Sequence, residues 1–543
     1  MRKITITLLS LIMAVSISYA GGLVTNTNQS AAWTRLLVRD ASTGIDAAYY
    51  NPAGLTKLKD GFHISISNQT IFQTKYITNT FMYLNNHDFQ GDVFAPVFPG
   101  FYAAYKTGKF AFSVGFNPIG GGGSAEFSKG LPSIEVPISS LKGSLAPLGV
   151  TGYSADIYFN GSSVYWGLQA GISYAVNDNI SFYLGARYVM AKNTYEGYVK
   201  DVTLTLADGS SVRADDFMNS TGDQAELGAQ AATSAANGMQ PLIDNGVGPL
   251  TFDQAVAAGV ITQEQAQQMQ GGLIQLGYPA DVVANMTIET AQSSYISSAE
   301  HLTGVAQQMH AGAGLMADQE ADVTQTGNGI TPIVGLNLTF FDETVNIGVK
   351  YEFKTKLDLT NSTPQGKGFV IGYNPDGTKK EMFPDGAVTN ADMPAMLSIG
   401  TQIAMSDKVT FHFGYHTYFD KNTGWENADE INGNSFEAAV GIEYSFNDKF
   451  LLSGGYLFAK SDVKKAYQSD FSYTVPSNTL GFGGAYKFND TFTLQFGGYY
   501  VAYNRDQAPG SYNVGDTPVP YTEKYHTETY GISVGLDISL LKK

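Results

Sequence analysis

From Tyr530 to Leu540 every second residue is large and apolar (Tyr530, Ile532, Val534, Leu536, Ile538 and Leu540), while Gly531, Ser533, Gly535, Asp537 and Ser539 fill the positions between them. Side chains of an extended strand alternate between two faces, so this spacing makes one apolar face and one small or polar face. The pattern returns at Phe492, Leu494, Phe496 and Tyr500, at Leu480, Phe482, Tyr486 and Phe488, and at Phe450, Leu452, Tyr456 and Phe458. It is also present at Phe436, Val440, Ile442, Tyr444 and Phe446, at Val345, Ile347, Val349, Tyr351 and Phe353, and at Ile180, Phe182, Leu184, Tyr188 and Met190. A soluble sandwich or propeller does not keep its aromatic face outward and its glycine face inward over so many strands; a wall surrounded by lipid does. With 60 Gly, 33 Tyr, 32 Phe and only 15% charged residues, the composition agrees.

Short connections punctuate the ladder at Asn177-Asp178-Asn179, Asp342-Glu343, Asp407-Lys408, Asn447-Asp448-Lys449 and Asn489-Asp490. Asn and Asp suit tight hairpin turns because they tolerate left-handed backbone and bond their own main chain. The alternate connections are long and polar. Strands are expected near 61–77, 92–106, 109–125, 154–176, 179–200, 321–341, 344–361, 391–406, 409–420, 434–446, 449–461, 475–488, 491–505 and 522–541. That makes an all-β, 14-stranded antiparallel transmembrane β-barrel, and an even number puts both ends of the wall on the short-turn, periplasmic side.

Arg2 and Lys3 precede an apolar run from Ile4 to Val15, and Ser18-Tyr19-Ala20 offers small residues for cleavage, so 1–20 reads as a signal peptide. No later stretch approaches the ~20 consecutive apolar residues of a membrane-spanning helix. The chain has no cysteine, which excludes disulfides and thiolate metal sites. A net charge of -17 argues against a nucleic-acid partner, since phosphate binding needs clustered Lys and Arg.

Residues 21–60 precede the ladder and lack its alternation. Their core, Gly44-Ile45-Asp46-Ala47-Ala48-Tyr49-Tyr50-Asn51-Pro52-Ala53-Gly54-Leu55, is rich in small residues and ends in a turn that Pro and Gly favour. Its position suggests a plug inside the barrel formed by 61–543.

At Asp46 to Leu55 and across the ladder the chain resembles the FadL/TodX family of outer-membrane transporters for long-chain fatty acids and other hydrophobic compounds. Asn51-Pro52-Ala53 sits where that family carries its NPA hatch motif. The resemblance implies a bacterial outer-membrane location, a monomer, no cofactor, and a hydrophobic ligand that is caught at an extracellular groove, displaces part of the plug and leaves sideways into the lipid. It also implies an inward kink in the third strand, for which the candidate is Asn117, Pro118 and Gly120; without the resemblance, Pro118 and the glycines after it would serve as well to end the strand and begin a loop. The chain departs from the family in ending Leu540-Leu541-Lys542-Lys543, without a terminal aromatic residue, and in a larger insertion at about 201–320.

That insertion reads as helical and extracellular, with capping boxes at Thr251-Phe252-Asp253-Gln254 and Thr262-Gln263-Glu264-Gln265. By parity Arg187, Lys350, Lys354 and Lys487 face the lumen, where each could meet a ligand carboxylate or pair with Glu352, Glu437, Glu443 or Asp537. His412 and His416 share the lumen side of one strand without an evident third ligand, so no metal is expected. Gly531-Ile532-Ser533-Val534-Gly535 matches a nucleophile-elbow pattern but lies inside a strand with no helix after it, so no enzyme is expected. The alternative to transport is a non-transporting barrel that uses its long loops for adhesion or anchoring, a role that needs neither a plug nor a broken strand.

Overall fold

The computed structural model describes residues 23–374 and 376–542; the expected signal peptide lies outside the described residues. Fourteen antiparallel strands close into one barrel. The first seven are β1 (Gly61–Asn79), β2 (Asp88–Thr107), β3 (Phe110–Phe127), β4 (Val150–Ala175), β5 (Ile180–Leu206), β6 (Gln319–Phe340) and β7 (Val345–Glu352). The second seven are β8 (Met396–Ala404), β9 (Val409–Tyr418), β10 (Ser435–Ser445), β11 (Phe450–Lys460), β12 (Ser477–Lys487), β13 (Phe492–Tyr503) and β14 (Thr517–Leu541). Strand β14 closes the wall by pairing with β13 and, from Leu541↔Gly61 to Glu523↔Asn79, with β1. The alternation is the one the sequence dictates: Tyr530, Ile532 and Val534 are exposed on the outside, and Gly531 and Gly535 are buried inside.

The short turns work as their residues require. Asn177 Oδ1 accepts from the backbone N–H of Asn179 and Ile180, Asn447 Oδ1 from Lys449 and Phe450, and Asn489 Oδ1 from Thr491 and Phe492. Phe341, Asp342 and Glu343 turn the chain through left-handed backbone, with φ of 56°, 50° and 68°.

Residues 23–55 are almost wholly buried and pack against the inner face of the wall. Helix α1 (Ala31–Leu36) is capped by Ser30, whose Oγ accepts from Trp33 N at 3.0 Å, and all six of its residues are buried. Helix α2 (Ala47–Tyr50) follows, then a 3-10 turn, Pro52–Lys57, that leads into β1. The inward glycines that face α1 are explained by this segment. A Cβ on Gly481 would lie 2.7 Å from Thr34 O, one on Gly497 2.8 Å from Arg35 N, and one on Gly441 2.9 Å from Leu36 O. All are closer than carbon can approach oxygen or nitrogen without displacement, so the barrel is glycine-lined where α1 rests.

Two connections carry more order than their polarity predicts. Between β3 and β4 the chain forms α3 (Pro132–Ser139) and α4 (Leu141–Ser144), and ahead of the last strand Asp506–Val514 pairs with the upper part of β14. The strand expected at 344–361 is interrupted: β7 stops at Glu352 and pairing resumes at Asp358–Ser362. The insertion holds two long helices, α5 (Ala214–Asp244) and α9 (Ile288–Met316), which pack on each other, with α6 (Phe252–Ala257), α7 (Gln263–Gln275) and α8 (Ala280–Ala284) between them. Both capping boxes form, at Thr251 with Gln254 and at Thr262 with Gln265.

Candidate functional site

The N-terminal segment is held by a polar network centred on Asp46. Arg39 Nε and Nη2 each donate to its carboxylate at 2.8 Å, Ser42 Oγ donates at 2.7 Å and Ser30 Oγ at 3.1 Å. Burial pushes the Asp46 carboxyl up, but the Arg39 charge and these hydrogen bonds outweigh it and hold the group below its ordinary value of 3.8. Asn51 Nδ2 ties the segment to itself and to the wall, donating to Ser42 O at 3.0 Å and to Asn337 Oδ1 at 2.7 Å. The carbonyls of Pro52 and Ala53 accept from Ser173 and Ser181 on β4 and β5 at 2.6 and 2.8 Å, near the short-turn end. Gly54 follows because a Cβ there would sit 2.6 Å from Ser42 O.

Backbone pairing in the wall lapses on one side. Strands β2 and β3 pair from Phe101↔Phe116 to Thr107↔Phe110 and again at Val93↔Ala125 and Asp92↔Glu126, with no pairing between. Over the same stretch β3 slips register against β4 at Pro118, Gly120 and Gly123. The freed backbone of β3 is taken up by the N-terminal segment: Asn26 N donates to Ile119 O at 2.9 Å, Asn26 Nδ2 to Gly121 O at 2.8 Å and Gln29 Nε2 to Pro118 O at 2.9 Å. Asn117 Nδ2 donates to Gln29 Oε1 at 2.6 Å, and Thr25 forms an antiparallel bridge with Gly120. Asn117, Pro118 and Gly120 thus stand where β3 loses its pairing with β2, and the N-terminal segment takes up the freed groups from inside.

Toward the long-loop end the lumen is filled by a cluster of buried apolar side chains, among them Phe81, Phe89, Phe127, Phe159, Tyr195, Phe383, Phe471, Tyr473 and Tyr525. One cation is buried beside it. Lys75 is 3% exposed, its Nζ lies 5.1 Å from the centre of the Tyr473 ring, and it has no hydrogen-bond or ion-pair partner among the described residues. On β2 its partner is Gly91, two residues above the point where β2 and β3 part. A buried, unpaired ammonium is costly unless a counter-charge arrives, and a π face supplies only part of what it lacks.

The lumen cations named from the sequence are placed differently. Arg187 forms a two-bonded pair with Glu352 at 2.5 and 2.9 Å, Lys350 reaches Glu352 at 2.7 Å and Tyr49 O at 2.8 Å, and both cations lie over the Tyr49 ring. They join the wall to α2. Lys354 pairs with Asp392 at 2.9 Å, and Lys487 pairs with Asp490 in a short turn at 2.6 Å. His412 is bonded to Glu443 at 2.9 Å, and His416 sits between Asp40 and Glu437; among the described residues no group of three or more His, Cys, Asp or Glu is arranged to hold a metal. Lys75 was legible by the same parity rule, because Phe72 and Tyr76 mark the outward face of β1 and Gln73 and Lys75 the inward one.

A search of solved structures returns a FadL homologue from Pseudomonas aeruginosa, at 12% identity, covering 95% of this chain and 99% of that one, with a TM-score of 0.57. The chain has the fold of a FadL-type barrel. The toluene transporters TodX of Pseudomonas putida (12% identity, 93% of this chain and 98% of that one, TM-score 0.48) and TbuX of Ralstonia pickettii (14%, 92% and 94%, TM-score 0.44) also match. No protein-family model and no curated protein matches.

Proposed function

We propose that this FadL-type barrel passes hydrophobic small molecules across the bacterial outer membrane, and that its cargo includes carboxylate-headed amphiphiles such as long-chain fatty acids. The observation that carries the reading is the gap between β2 and β3, held shut by Asn26 and Gln29 beside an aromatic-lined lumen. An anchor or an adhesin has no use for a broken wall. In this reading residues 23–60 are the plug, the ligand descends through the apolar cluster, and loss of the Asn26 and Gln29 contacts opens the side of the barrel to lipid. Transport down a gradient needs no cofactor. The carboxylate follows from Lys75: an alkyl chain suits the cluster around Tyr473 and Tyr525, and the headgroup provides the counter-charge that the protein does not.

The test is uptake of labelled oleate by cells lacking their own transporter, expressing the intact protein, Asn51→Ala or Lys75→Met, with barrel assembly checked by heat-dependent gel migration. Asn51→Ala removes two buried hydrogen bonds, each costing about 1–3 kcal/mol when broken, and is expected to change uptake severalfold without loss of the barrel. Lys75→Met is expected to lower oleate uptake at least fivefold while sparing the methyl ester. Equal loss of both ligands, or of neither, removes the headgroup role; absence of oleate uptake by the assembled intact protein removes fatty acids as cargo and turns the test to toluene.

A further inference from the structure

On the outside of the barrel, just above the lipid-facing band, the structure holds a second feature that transport does not use. The outward positions of β14 are apolar from Leu540 up to Tyr530, whose ring stacks on Phe72 at 4.9 Å, and then become Glu528, His526 and Lys524. About ten tilted residues cover the ~25 Å apolar band of such a barrel, so Tyr530 marks the outer aromatic girdle and Lys524 stands at headgroup level. There an open recess of about 1040 Å³ is lined by Tyr76 and Thr78 of β1, Lys524 and His526 of β14, and Arg505 and Lys465 from the neighbouring loops.

The charges in this recess do not balance. Lys465 is paired with Asp506, the one acidic side chain of the lining, and His526 Nε2 lies 3.4 Å from Glu528. The side chains of Arg505 and Lys524 have no hydrogen-bond or ion-pair partner among the described residues. The inner wall is aromatic, with Tyr76 stacked on His526 at 5.8 Å. In a chain of net charge -17, two uncompensated cations over an aromatic floor at the water–lipid boundary call for an anion presented by the membrane itself. Arg takes phosphate oxygens in pairs and Lys as a point charge.

We propose that this recess binds the phosphorylated sugar headgroup of an outer-leaflet glycolipid, with Arg505 and Lys524 on the phosphate and Tyr76 against the sugar. The inference rests on the outer-membrane reading and is independent of what the lumen carries.

Mature protein purified in detergent is titrated with diphosphoryl lipid A and followed by native mass spectrometry, alongside R505A/K524A and, as a control, K379A/K380A, whose residues do not line the recess. The wild type and the control are expected to bind one lipid A per barrel, the R505A/K524A variant at least tenfold more weakly, and dephosphorylated lipid A is not expected to bind. Equal affinity of wild type and R505A/K524A overturns the site. Displacement of lipid A by millimolar inorganic phosphate overturns the glycolipid assignment in favour of free phosphate. Heat-dependent gel migration establishes that each variant is a folded barrel, and oleate uptake by R505A/K524A, expected unchanged, separates failure of this site from failure of the transport reading.

Discussion

Asp46 shows how much a single side chain holds in this molecule. It is buried, it accepts from Arg39, Ser42 and Ser30, and through Ser42 and Asn51 it connects to the wall at Asn337. Removing one partner of a buried pair costs about 3–5 kcal/mol, because the other is left charged and unpaired. Its carboxyl titrates below 3.8 in the folded state, so the stability it contributes is fully present above that value and is lost as pH falls through the lower, folded-state value. Single-channel conductance in planar bilayers is therefore expected to rise as pH is lowered below about 4, and Asp46→Asn to show raised conductance already at pH 7. A closed Asp46→Asn channel at pH 7 would count against this role. At this scale, parity showed which cations face inward but not which are free. Arg187 is consumed by Glu352, 165 positions away, and Lys350 by Glu352 on its own strand and by the distant Tyr49 carbonyl, whereas Lys75 faces a loop residue, Tyr473, and finds no acid.

Among the elements, α1 and the glycines of β10 to β13 depend on each other. Gly455 is the tightest case, since a Cβ there would collide with the Leu36 carbonyl. Gly455→Val is expected to leave a heat-modifiable barrel, because valine suits a strand, but to dislodge α1 and make the lumen permeable to small antibiotics that the parent excludes. Unchanged antibiotic resistance would mean that α1 can shift without opening the barrel. Strand β3 illustrates the limit of local reading. Pro118 and the glycines after it are compatible with either a strand end or a kink, and the strand continues as far as Phe127 because β4 pairs with it beyond the glycines while Thr25, Asn26 and Gln29 supply partners from Pro118 to Gly121, where β2 does not. Capping boxes, by contrast, are closed within four residues, and both were legible.

For the whole molecule, wall and N-terminal segment draw on different interactions. The wall is joined by backbone hydrogen bonds between neighbouring strands and closed by the register of β14 on β1, while the segment is attached mainly by side chains and by its fit against glycines. Deletion of residues 23–58 is therefore expected to give a barrel that still migrates in a heat-dependent manner and conducts continuously; failure to assemble would show that the segment is needed to close the wall. The sequence by itself determined most of the strands, their facing and their short turns, because period-two alternation and Asn- or Asp-led hairpins are local signals that recur along the wall with the same meaning. It also marked Asn51-Pro52-Ala53 and the Pro118 break as places where the pattern fails. Only the tertiary structure decided that residues 25–29 take up the unpaired backbone of β3, that Glu352 occupies both Arg187 and Lys350, and that Lys75 is left without a counter-ion among the described residues. Those outcomes depend on which groups meet across the lumen, and closure of the barrel brings together residues more than 300 positions apart, such as Lys350 and Tyr49, at 2.8 Å.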